Sequence, residues 1–435
     1  MKKKIFLILV VLLLGVFIYI FFTQPISIYK VKDLEATEPE ELHELLTKEE
    51  VKEDIESIIE IVESTHPIFL EEVPEKYYKM KEELLSTSNN AMTVGELQNK
   101  ISRYLSSIND GHTSLRWEEE MFLDVNWIYK DGKLILLDKD SKPTNKTVTK
   151  IGNVDIDLII KTIQDIFPAE NYMAEAKNIA KFSKGKLILE NTGVEPSKNI
   201  TLTLENMGKE ETIQVEFTSE DKYKKLDYSI YSEKIDNNNT AYIRLGICEV
   251  NPDLEKVVED IGNYLNEGIT NFIIDVSDNP GGNSMACSMI LETLKIKPGS
   301  YGAVVRFSPL AQEQRGYLRR KGHITHKGSM EAEKNDDISL HVLTNENTFS
   351  SAQMLAVWVS DGDLGTLVGR PSANSPSSYG DVVRFQLKNS KILGQVSHKK
   401  WTRPDINKDN KSVLEPDIYV DYGDNIIEKA LKEIK

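Results

Sequence analysis

The sequence predicts an α/β protein, because from residue 241 onward short apolar runs alternate with amphipathic runs. The apolar runs have the length of buried strands, and the amphipathic runs carry apolar residues at helical spacing. Such alternation is typical of a mostly parallel sheet with helices packed on its faces. The predicted strands are 241–247, 272–276, 338–343 and 365–369, and the predicted helices are 253–265, 284–294 and 352–360.

Composition limits the class of protein. The chain has 435 residues, of which 40% are hydrophobic, and this is enough for a folded protein of two or three domains. Its formal net charge is -16. Because phosphate binding requires clustered Lys and Arg side chains, this charge argues against nucleic acid as a partner.

The N-terminal lysines and the apolar run after them predict a membrane anchor. The run extends without interruption from Ile5 to Phe22 and follows three consecutive lysines. That length is just sufficient to span a bilayer, and the lysines would then stay in the cytoplasm with the rest of the chain outside. A cleaved signal peptide is the alternative, but the end of the run lacks a small-residue cleavage site. Residues 1–22 are therefore predicted as a cytoplasmic lysine cluster and anchor, and residues 23–46 as a linker.

Residues 47–118 are predicted to form a helical domain. Thr47 and Thr93 are each followed three residues later by Glu, which is the pattern of a capping box at a helix start. Apolar residues at helical spacing follow both boxes. The last of these helices stops at a turn that contains Gly111 and His112.

Residues 119–218 are predicted to be a β-rich module, and residues 219–435 the catalytic core. The module contains short strand-like runs, one helix at 156–166 and a closing hairpin near Gly208. This order suits a module that binds an extended peptide at a sheet edge, although a lid or spacer remains an alternative. Within the core, residues 300–336 are basic and poorly periodic, and they are predicted to form a loop over the site.

No metal or organic cofactor is expected. Cys248 and Cys287 are the only cysteines, and both a disulfide and two buried free thiols remain open. No grouping of Cys and His has the spacing of metal ligands, apart from His323 and His326. Because these two histidines lie in the predicted loop beside glycines, we interpret them as ordinary loop residues.

Ser350 is the first candidate catalytic residue. It follows the predicted strand 338–343 and precedes the predicted helix 352–360, so its hydroxyl should be exposed at a strand-to-helix turn. Nucleophilic serines of hydrolases occupy such turns, beside unpaired N–H groups of a helix N-terminus. The alternative is that Ser350 and Ser351 only cap the helix.

Gly281 and Gly282 form a second candidate element after the predicted strand 272–276. Ligands of open α/β sheets bind outside the carboxyl ends of the strands, and paired glycines let backbone N–H groups approach a ligand closely. An oxyanion hole and a phosphate site are the two chemical uses of such a turn. Neither common phosphate-binding motif is present in the sequence.

Four stretches, taken in order, resemble the tail-specific or C-terminal-processing family of serine peptidases. They are 108–115 around His112, 275–282 ending in Gly-Gly, 348–353 around Ser350 and 413–420 near the end. Two departures from the family pattern stand out, since Ser277 replaces an arginine and Gln353 replaces a glutamate. Together the stretches extend the resemblance over about residues 48–420.

The resemblance implies a ClpP/crotonase-like catalytic core with an inserted PDZ-like module. It implies that Ser350 is the nucleophile and that the N–H of Ser351, with that of Gly281 or Gly282, binds the oxyanion. One branch of the family activates its serine with a lysine, but Ser375 stands at that position here. The tricorn-like branch instead uses a histidine from the N-terminal domain, which corresponds to His112.

The third catalytic residue is the least defined part of this interpretation. The family places a carboxylate between the nucleophile and the closing element, and Asp405 is the first choice, with Asp409 and Glu415 as alternatives. Its role would be to orient the imidazole and to stabilise its charge.

The sequence as a whole predicts a membrane-anchored, extracellular serine endopeptidase that acts on proteins or peptides. The principal alternative is a catalytically inactive binding protein of the same fold, which would hold a peptide or a small apolar ligand. The oligomeric state is not predicted.

Overall fold

The structure is a computed structural model that describes residues 20, 22–195, 197–219, 226–235, 239–409 and 412–434. The predicted anchor falls outside these residues except at Ile20 and Phe22. Among the residues that are described, no helix combines the length and apolarity needed to cross a bilayer. This finding contradicts the predicted single-pass membrane location.

Between residues 45 and 434, the described chain contains eleven α-helices, which we number in chain order. They are α1 Lys48–Thr65, α2 Glu75–Thr87, α3 Val94–Ser106, α4 Ile156–Ile166, α5 Tyr172–Phe182, α6 Lys186–Asn191, α7 Pro252–Asn266, α8 Met285–Thr293, α9 Pro309–Arg315, α10 Ser351–Asp361 and α11 Ile426–Glu433. Short 3-10 helices lie at Pro67–Leu70 and Ile406–Lys408.

The strands are likewise numbered in chain order. They are β1 Leu45–Leu46, β2 Met92–Thr93, β3 Ser114–Leu115, β4 Phe122–Leu123, β5 Trp127–Lys130, β6 Lys133–Leu137, β7 Pro143–Ile151, β8 Val154–Asp155, β9 Asn199–Asn206, β10 Lys209–Thr218, β11 Ile230–Ile235, β12 Thr240–Leu245, β13 Asn271–Asp275, β14 Gly302–Arg306, β15 His323–His326, β16 Ser339–Thr344, β17 Thr366–Gly369, β18 Ser378–Gln386, β19 Leu393–Thr402 and β20 Ile418–Tyr419.

The predicted parallel sheet is present in the C-terminal half. Its strand order is β11-β12-β13-β16-β17-β20, and every neighbouring pair from β12 onward is parallel. Strand β13 lies directly beside β16, with Asp275 opposite Leu343. Both strands are buried on both faces, by α7, α8 and α10 on one side and by α11 on the other. This adjacency brings the two loops that follow β13 and β16 to the same edge of the sheet.

The N-terminal helices share a hydrophobic core with a second, antiparallel sheet. Both predicted capping boxes are formed, by Thr47 with Glu50 and by Thr93 with Glu96, and they start α1 and α3. The second sheet has the order β15-β14-β19-β18, and the short strand β3 pairs with β19. Because β3 comes directly after the His112 turn, this pairing fixes the turn against the C-terminal half of the chain.

The segment 300–336 is not a loop, contrary to the prediction. It contributes β14, α9 and β15, and its apolar side chains join the core formed with the N-terminal helices. His323 and His326 are the two ends of β15. Because side chains alternate between the two faces of a strand, residues three apart point in opposite directions, so these histidines cannot share a metal ion.

Residues 119–218 form a seven-stranded antiparallel sheet with three helices packed on it. The sheet follows the order β4-β10-β9-β7-β6-β5, with β8 paired to β7. Helix α4 has the predicted bounds, whereas α5 and α6 were not predicted. The loop between α4 and α5 leads from this sheet toward the His112 turn, which matters for the site described next.

Candidate active site

Ser350 occupies a strained backbone position immediately before α10. Its φ and ψ angles are 52° and -121°, a region that L-residues seldom adopt. Its side chain makes no capping hydrogen bond to the helix, so the capping interpretation is not supported. The Ser350 N–H instead donates to the side-chain oxygen of Asn374, at 2.8 Å. The hydroxyl is thereby left at a sharp strand-to-helix turn, as in hydrolase nucleophile elbows.

The Gly281–Gly282 turn lies against the Ser350 turn. A Cβ atom placed on Gly281 would lie 2.5 Å from the Cβ of Ser350, so only glycine allows this approach. The Gly281 N–H donates to the side chain of Asn279, at 2.8 Å. No hydrogen bond among the described residues uses the N–H of Gly282 or Ser351. Of the two predicted glycines, Gly282 therefore has the available N–H donor.

Hydrogen bonds between the two loops hold this arrangement. The Thr348 hydroxyl donates to the Val276 carbonyl at 2.9 Å, and the Phe349 N–H donates to the Asn279 carbonyl at 2.9 Å. The Ser351 hydroxyl also donates to the Gly282 carbonyl, at 2.7 Å. The sequence did not identify Asn279 as a functional residue. It links the glycine turn to the Ser350 loop through its side-chain and main-chain oxygens.

His112 lies in the turn between α3 and β3, and its side chain is almost fully buried. Its ring centroid is 4.5 Å from that of Phe349, the residue before Ser350. Neither ring nitrogen has a hydrogen-bond partner among the described residues. Burial lowers the pKa of His112, although the charges of Asp110 and Asp381 oppose this shift. The ring is therefore neutral near pH 7, which is the state that a general base requires.

Asp110 fixes the turn that carries His112. Its carboxylate accepts the His112 N–H, the hydroxyls of Thr113 and Ser397, and is 3.0 Å from Nε2 of His66. Burial alone would raise the pKa of Asp110, but the hydrogen bond and charge of His66 hold it below its ordinary value. His66 caps the 3-10 helix Pro67–Leu70 and connects this helix to the His112 turn.

Glu170 is a second buried carboxylate beside His112, and the sequence gave no indication of it. Its Oε1 lies 4.0 Å from Nδ1 of His112 and accepts the Gly111 N–H at 2.9 Å. Its Oε2 accepts the side-chain amide of Asn374 at 2.9 Å and the Ser375 N–H at 2.8 Å. Burial, followed by the charge of Asp110, raises the pKa of Glu170 to about 7.

Asp405 is not brought to His112. Its carboxylate caps the 3-10 helix Ile406–Lys408 by accepting the Asn407 N–H, and its own N–H donates to Asp361. Of the two alternatives, Glu415 accepts a hydrogen bond from Tyr172 at 3.3 Å. Asp409 ends the same 3-10 helix as its C-cap residue. Among the described residues, the carboxylates nearest to Nδ1 of His112 are those of Asp110, at 3.8 Å, and Glu170.

One cleft of about 640 Å³ collects most of the predicted site. Its lining includes five of the six predicted residues, and Asp405 is the exception. The five are His112, Gly281, Gly282, Ser350 and Ser351. Ser375 and Gln353, the two positions that depart from the family pattern near the nucleophile, also line this cleft.

The structure also bears on Ser277 and on the two cysteines. An arginine from another strand lies beside Ser277, since Arg244 of β12 donates to the Ser277 carbonyl at 2.6 Å and lies 3.2 Å from Asp275. Cys248 and Cys287 are buried free thiols with sulfur atoms 3.6 Å apart. The sequence had left this alternative open beside a disulfide.

A metal ion could be held at one place among the described residues. Ligand atoms of Asp110, His112 and Glu170 lie within 4.8 Å of one another. Both oxygens of Asp110 already accept hydrogen bonds from protein groups, however. The cluster is thus a network of hydrogen-bonded carboxylates beside the His112 imidazole, and its Asp110 oxygens are not free to bind a metal ion.

Comparison with known proteins agrees with this geometry. Residues 239–420 match the family model described as Peptidase family S41. This region belongs to peptidase family S41. The match contains the Ser350 turn and the Gly281–Gly282 turn, so it confirms the resemblance to tail-specific peptidases and makes the chain a serine-type peptidase. His112 lies outside the matched residues.

Solved structures share the fold of most of the chain. Mature CPAF in complex with lactacystin superposes with a TM-score of 0.60 at 13% identity, covering 89% of this chain and 96% of that one. Mature CPAF alone gives a TM-score of 0.58 at 12% identity, covering 86% and 92%. At such identities the likeness is one of fold. No curated protein sequence matches the chain.

Proposed function

We propose that this S41 peptidase cleaves proteins or peptides with a Ser350–His112 centre. The observation that carries the proposal is the backbone of Ser350, whose φ of 52° is adopted without any capping role. Strain of this kind persists where the surrounding structure maintains it, and such residues cluster at catalytic positions. Ser350 also shares one cleft with His112 and with the unused N–H of Gly282.

The proposed reaction follows from these positions. The Ser350 hydroxyl attacks the scissile carbonyl while His112 accepts its proton and then transfers that proton to the leaving amine. The N–H groups of Gly282 and Ser351 bind the oxyanion of the tetrahedral intermediate. Water then hydrolyses the acyl-enzyme by the same route in reverse. Ser350 and His112 are not yet hydrogen-bonded, and unliganded catalytic pairs often become so only when substrate binds.

The finer architecture is part of the same proposal. The parallel sheet with Ser350 at its carboxyl edge corresponds to a ClpP/crotonase-like core, within the predicted domain 219–435. The seven-stranded sheet of residues 119–218 corresponds to a PDZ-like module, and residues 47–118 to the helical domain that carries His112. The β-rich module would hold an extended substrate by adding it to a sheet edge.

A catalytically inactive binding protein is the second candidate. The observation that favours it is the orphaned His112 ring, whose two nitrogens have no partner among the described residues. Gln353 in the cleft has an unpaired Nε2 as well, and it stands where the family carries a glutamate. Such a protein would keep the cleft and bind peptides without cleaving them.

Hydrolysis of fluorescein-labelled casein by the full chain separates the two candidates. We expect Ser350→Ala and His112→Ala each to lower kcat by about 10³-fold or more, since the two groups act as one unit. Ser360→Ala, near the opposite end of α10, is the matched control and should retain wild-type activity. Equal activity in wild type and both variants would refute the Ser350–His112 centre. Casein binding without cleavage by wild type would favour the binding protein.

A further inference from the structure

Glu170 contacts both halves of the proposed catalytic centre without lining the cleft. Its Oε1 accepts the N–H of Gly111, the residue before His112. Its Oε2 accepts the amide of Asn374, whose oxygen in turn accepts the Ser350 N–H at 2.8 Å. One carboxylate therefore connects the base turn to the nucleophile turn through at most one intervening side chain.

Glu170 is also suitably placed to receive the Nδ1–H of His112. Its Oε1 is 4.0 Å from Nδ1, about 1 Å beyond hydrogen-bond distance. Asp110 Oδ1 is at a similar distance, 3.8 Å, and like Oε1 of Glu170 it accepts one main-chain N–H and keeps a lone pair to spare. The other Asp110 oxygen is used by Thr113 and Ser397. Glu170 differs from Asp110 because its second oxygen also holds the Ser350 turn through Asn374.

We infer that Glu170, supplied by the β-rich segment 119–218, is the positioning residue that orients His112 toward Ser350. The inference depends on the proposed Ser350–His112 centre and adds to it the carboxylate that Asp405 does not provide. When substrate closes the cleft, a shift of about 1 Å brings Oε1 to Nδ1, fixes the tautomer, and turns Nε2 toward the hydroxyl. Glu170 would thus make catalysis depend on the docking of this segment against the His112 and Ser350 turns.

The groups that face Glu170 determine its charge. They are Asp110 and His112 on the base turn, with His66 behind Asp110. Burial and the Asp110 charge raise the pKa of Glu170 to about 7. The ionised carboxylate, which can accept a hydrogen bond from the Nδ1–H of His112, therefore gains population as pH rises through neutrality. Three N–H donors nevertheless hold the carboxylate in place.

Glu119 provides a matched control for Glu170. It belongs to the same β-rich segment and is a partly buried carboxylate whose pKa burial likewise raises to about 7. It accepts the Leu187 N–H at 3.1 Å and does not line the cleft. Replacing it removes a carboxylate of similar pKa from the segment without removing any hydrogen bond to the base turn.

The test compares Glu170→Gln, Glu170→Asp and Glu119→Gln in the full chain with fluorescein-labelled casein. We expect Glu170→Gln to lower kcat about 100-fold or more while KM changes less than about threefold, because Glu170 orients the base and contacts no substrate. Glu170→Asp should recover about tenfold of that loss, and the rise of kcat/KM through neutral pH should flatten in Glu170→Gln. Glu119→Gln should keep wild-type kcat.

Three outcomes would overturn the inference. The first is a Glu170→Gln variant with wild-type kcat alongside inactive Ser350→Ala and His112→Ala variants; the proposed function would then stand alone. The second is an equal loss of kcat in Glu119→Gln, which would assign the effect to general loosening of the segment. The third is a wild type that neither cleaves casein nor reacts with a fluorophosphonate, which would remove the proposed function and this inference together.

Discussion

The Ser350 side of the cleft, which we propose carries the nucleophile, and the His112 side, which we propose carries the base, are built in different ways. On the nucleophile side, two adjacent parallel strands deliver the Ser350 turn and the Gly281–Gly282 turn, and hydrogen bonds between these loops complete the arrangement. On the base side, the His112 turn is held by Asp110 within the turn and by residues from two distant segments. Glu170 of the β-rich segment accepts the Gly111 N–H, and Gln395 of β19 donates to the His112 carbonyl.

The difference shows where the site is complete and where it is not. The Ser350 side already has its strained backbone and two unused N–H donors in place. The His112 ring is buried without a hydrogen-bond partner among the described residues, and its Nδ1 lies 3.8 Å from Asp110 and 4.0 Å from Glu170, beyond hydrogen-bond distance. We therefore expect substitutions on the nucleophile side to lower activity by distorting a geometry that is already formed. Substitutions on the base side should lower activity by changing the charges around His112 or the distance between His112 and its carboxylates.

The largest effect after loss of Ser350 or His112 is expected at Gly282. A Cβ here would lie 2.2 Å from the Cys248 carbonyl, at a φ of 134° that L-residues avoid. Gly282→Ala should therefore displace the oxyanion donor and lower kcat by about 10²–10³-fold on casein. Gly262→Ala is the control, because its Cβ would meet no atom within 4 Å in helix α7.

The control variant Gly262→Ala should keep wild-type activity and unfold less readily than the wild type. It is expected to stabilise the protein by about 0.5–1 kcal/mol, the usual gain for alanine in a helix interior. Thermal unfolding of both variants checks the pair. A Gly282→Ala protein with wild-type kcat would show that its N–H does not hold the oxyanion.

Asp110, on the base side, should be the next most sensitive position. Its substitution should lower the free energy of unfolding by an amount that depends on pH. The pKa of Asp110 is lower in the folded protein than in the unfolded chain. The charged form therefore stabilises the fold above the unfolded-state value of about 4, and this contribution is lost as pH falls through and below that value. Asp110→Asn should cost about 2–4 kcal/mol at pH 7, because its donors lose a charged acceptor.

Urea unfolding at pH 7 and pH 3 measures this effect. The cost of Asp110→Asn should be smaller at pH 3 than at pH 7, because the Asp110 carboxyl of the unfolded wild-type chain is then largely protonated while that of the folded protein remains ionised. Asp157→Asn, at an exposed position in the first turn of α4, should change the free energy of unfolding by less than about 0.5 kcal/mol at either pH. A cost for Asp110→Asn that is independent of pH would contradict the assigned ionisation.

Asp405 should give the smallest effect. Its carboxylate caps a three-residue 3-10 helix and makes no contact with His112 among the described residues. Asp405→Asn should keep kcat within about twofold and cost at most about 1 kcal/mol of stability, the usual value of a cap. A 100-fold loss of kcat on casein would instead restore Asp405 as the third member of the centre.

The sequence predicted the strands and turns around Ser350 and the two glycines because these elements are encoded locally. Buried parallel strands appear as continuous apolar runs, and the turns after them carry Ser350 and the two glycines in short, recognisable stretches. The capping boxes of α1 and α3 are equally local, and both are formed.

The rest could not be read from local pattern. Glu170 stands in an ordinary loop between two helices, and it gains its role only because folding places this loop beside Gly111. The strands within 300–336 were missed because they are short and separated by polar and basic residues. Their partners, including β19, lie far away in the sequence. Helix α5 offered one missed signal, since Asn171 is its N-cap.

Reaction of the full chain with a fluorophosphonate tests the central claim most directly, because the reagent needs an activated serine and no particular substrate. Peptide mass spectrometry would locate the adduct. We predict a single adduct on Ser350 that forms at least about 100-fold more slowly in His112→Ala, the range in which a general base contributes. Absence of an adduct on Ser350, or an unchanged rate in His112→Ala, would contradict the Ser350–His112 centre.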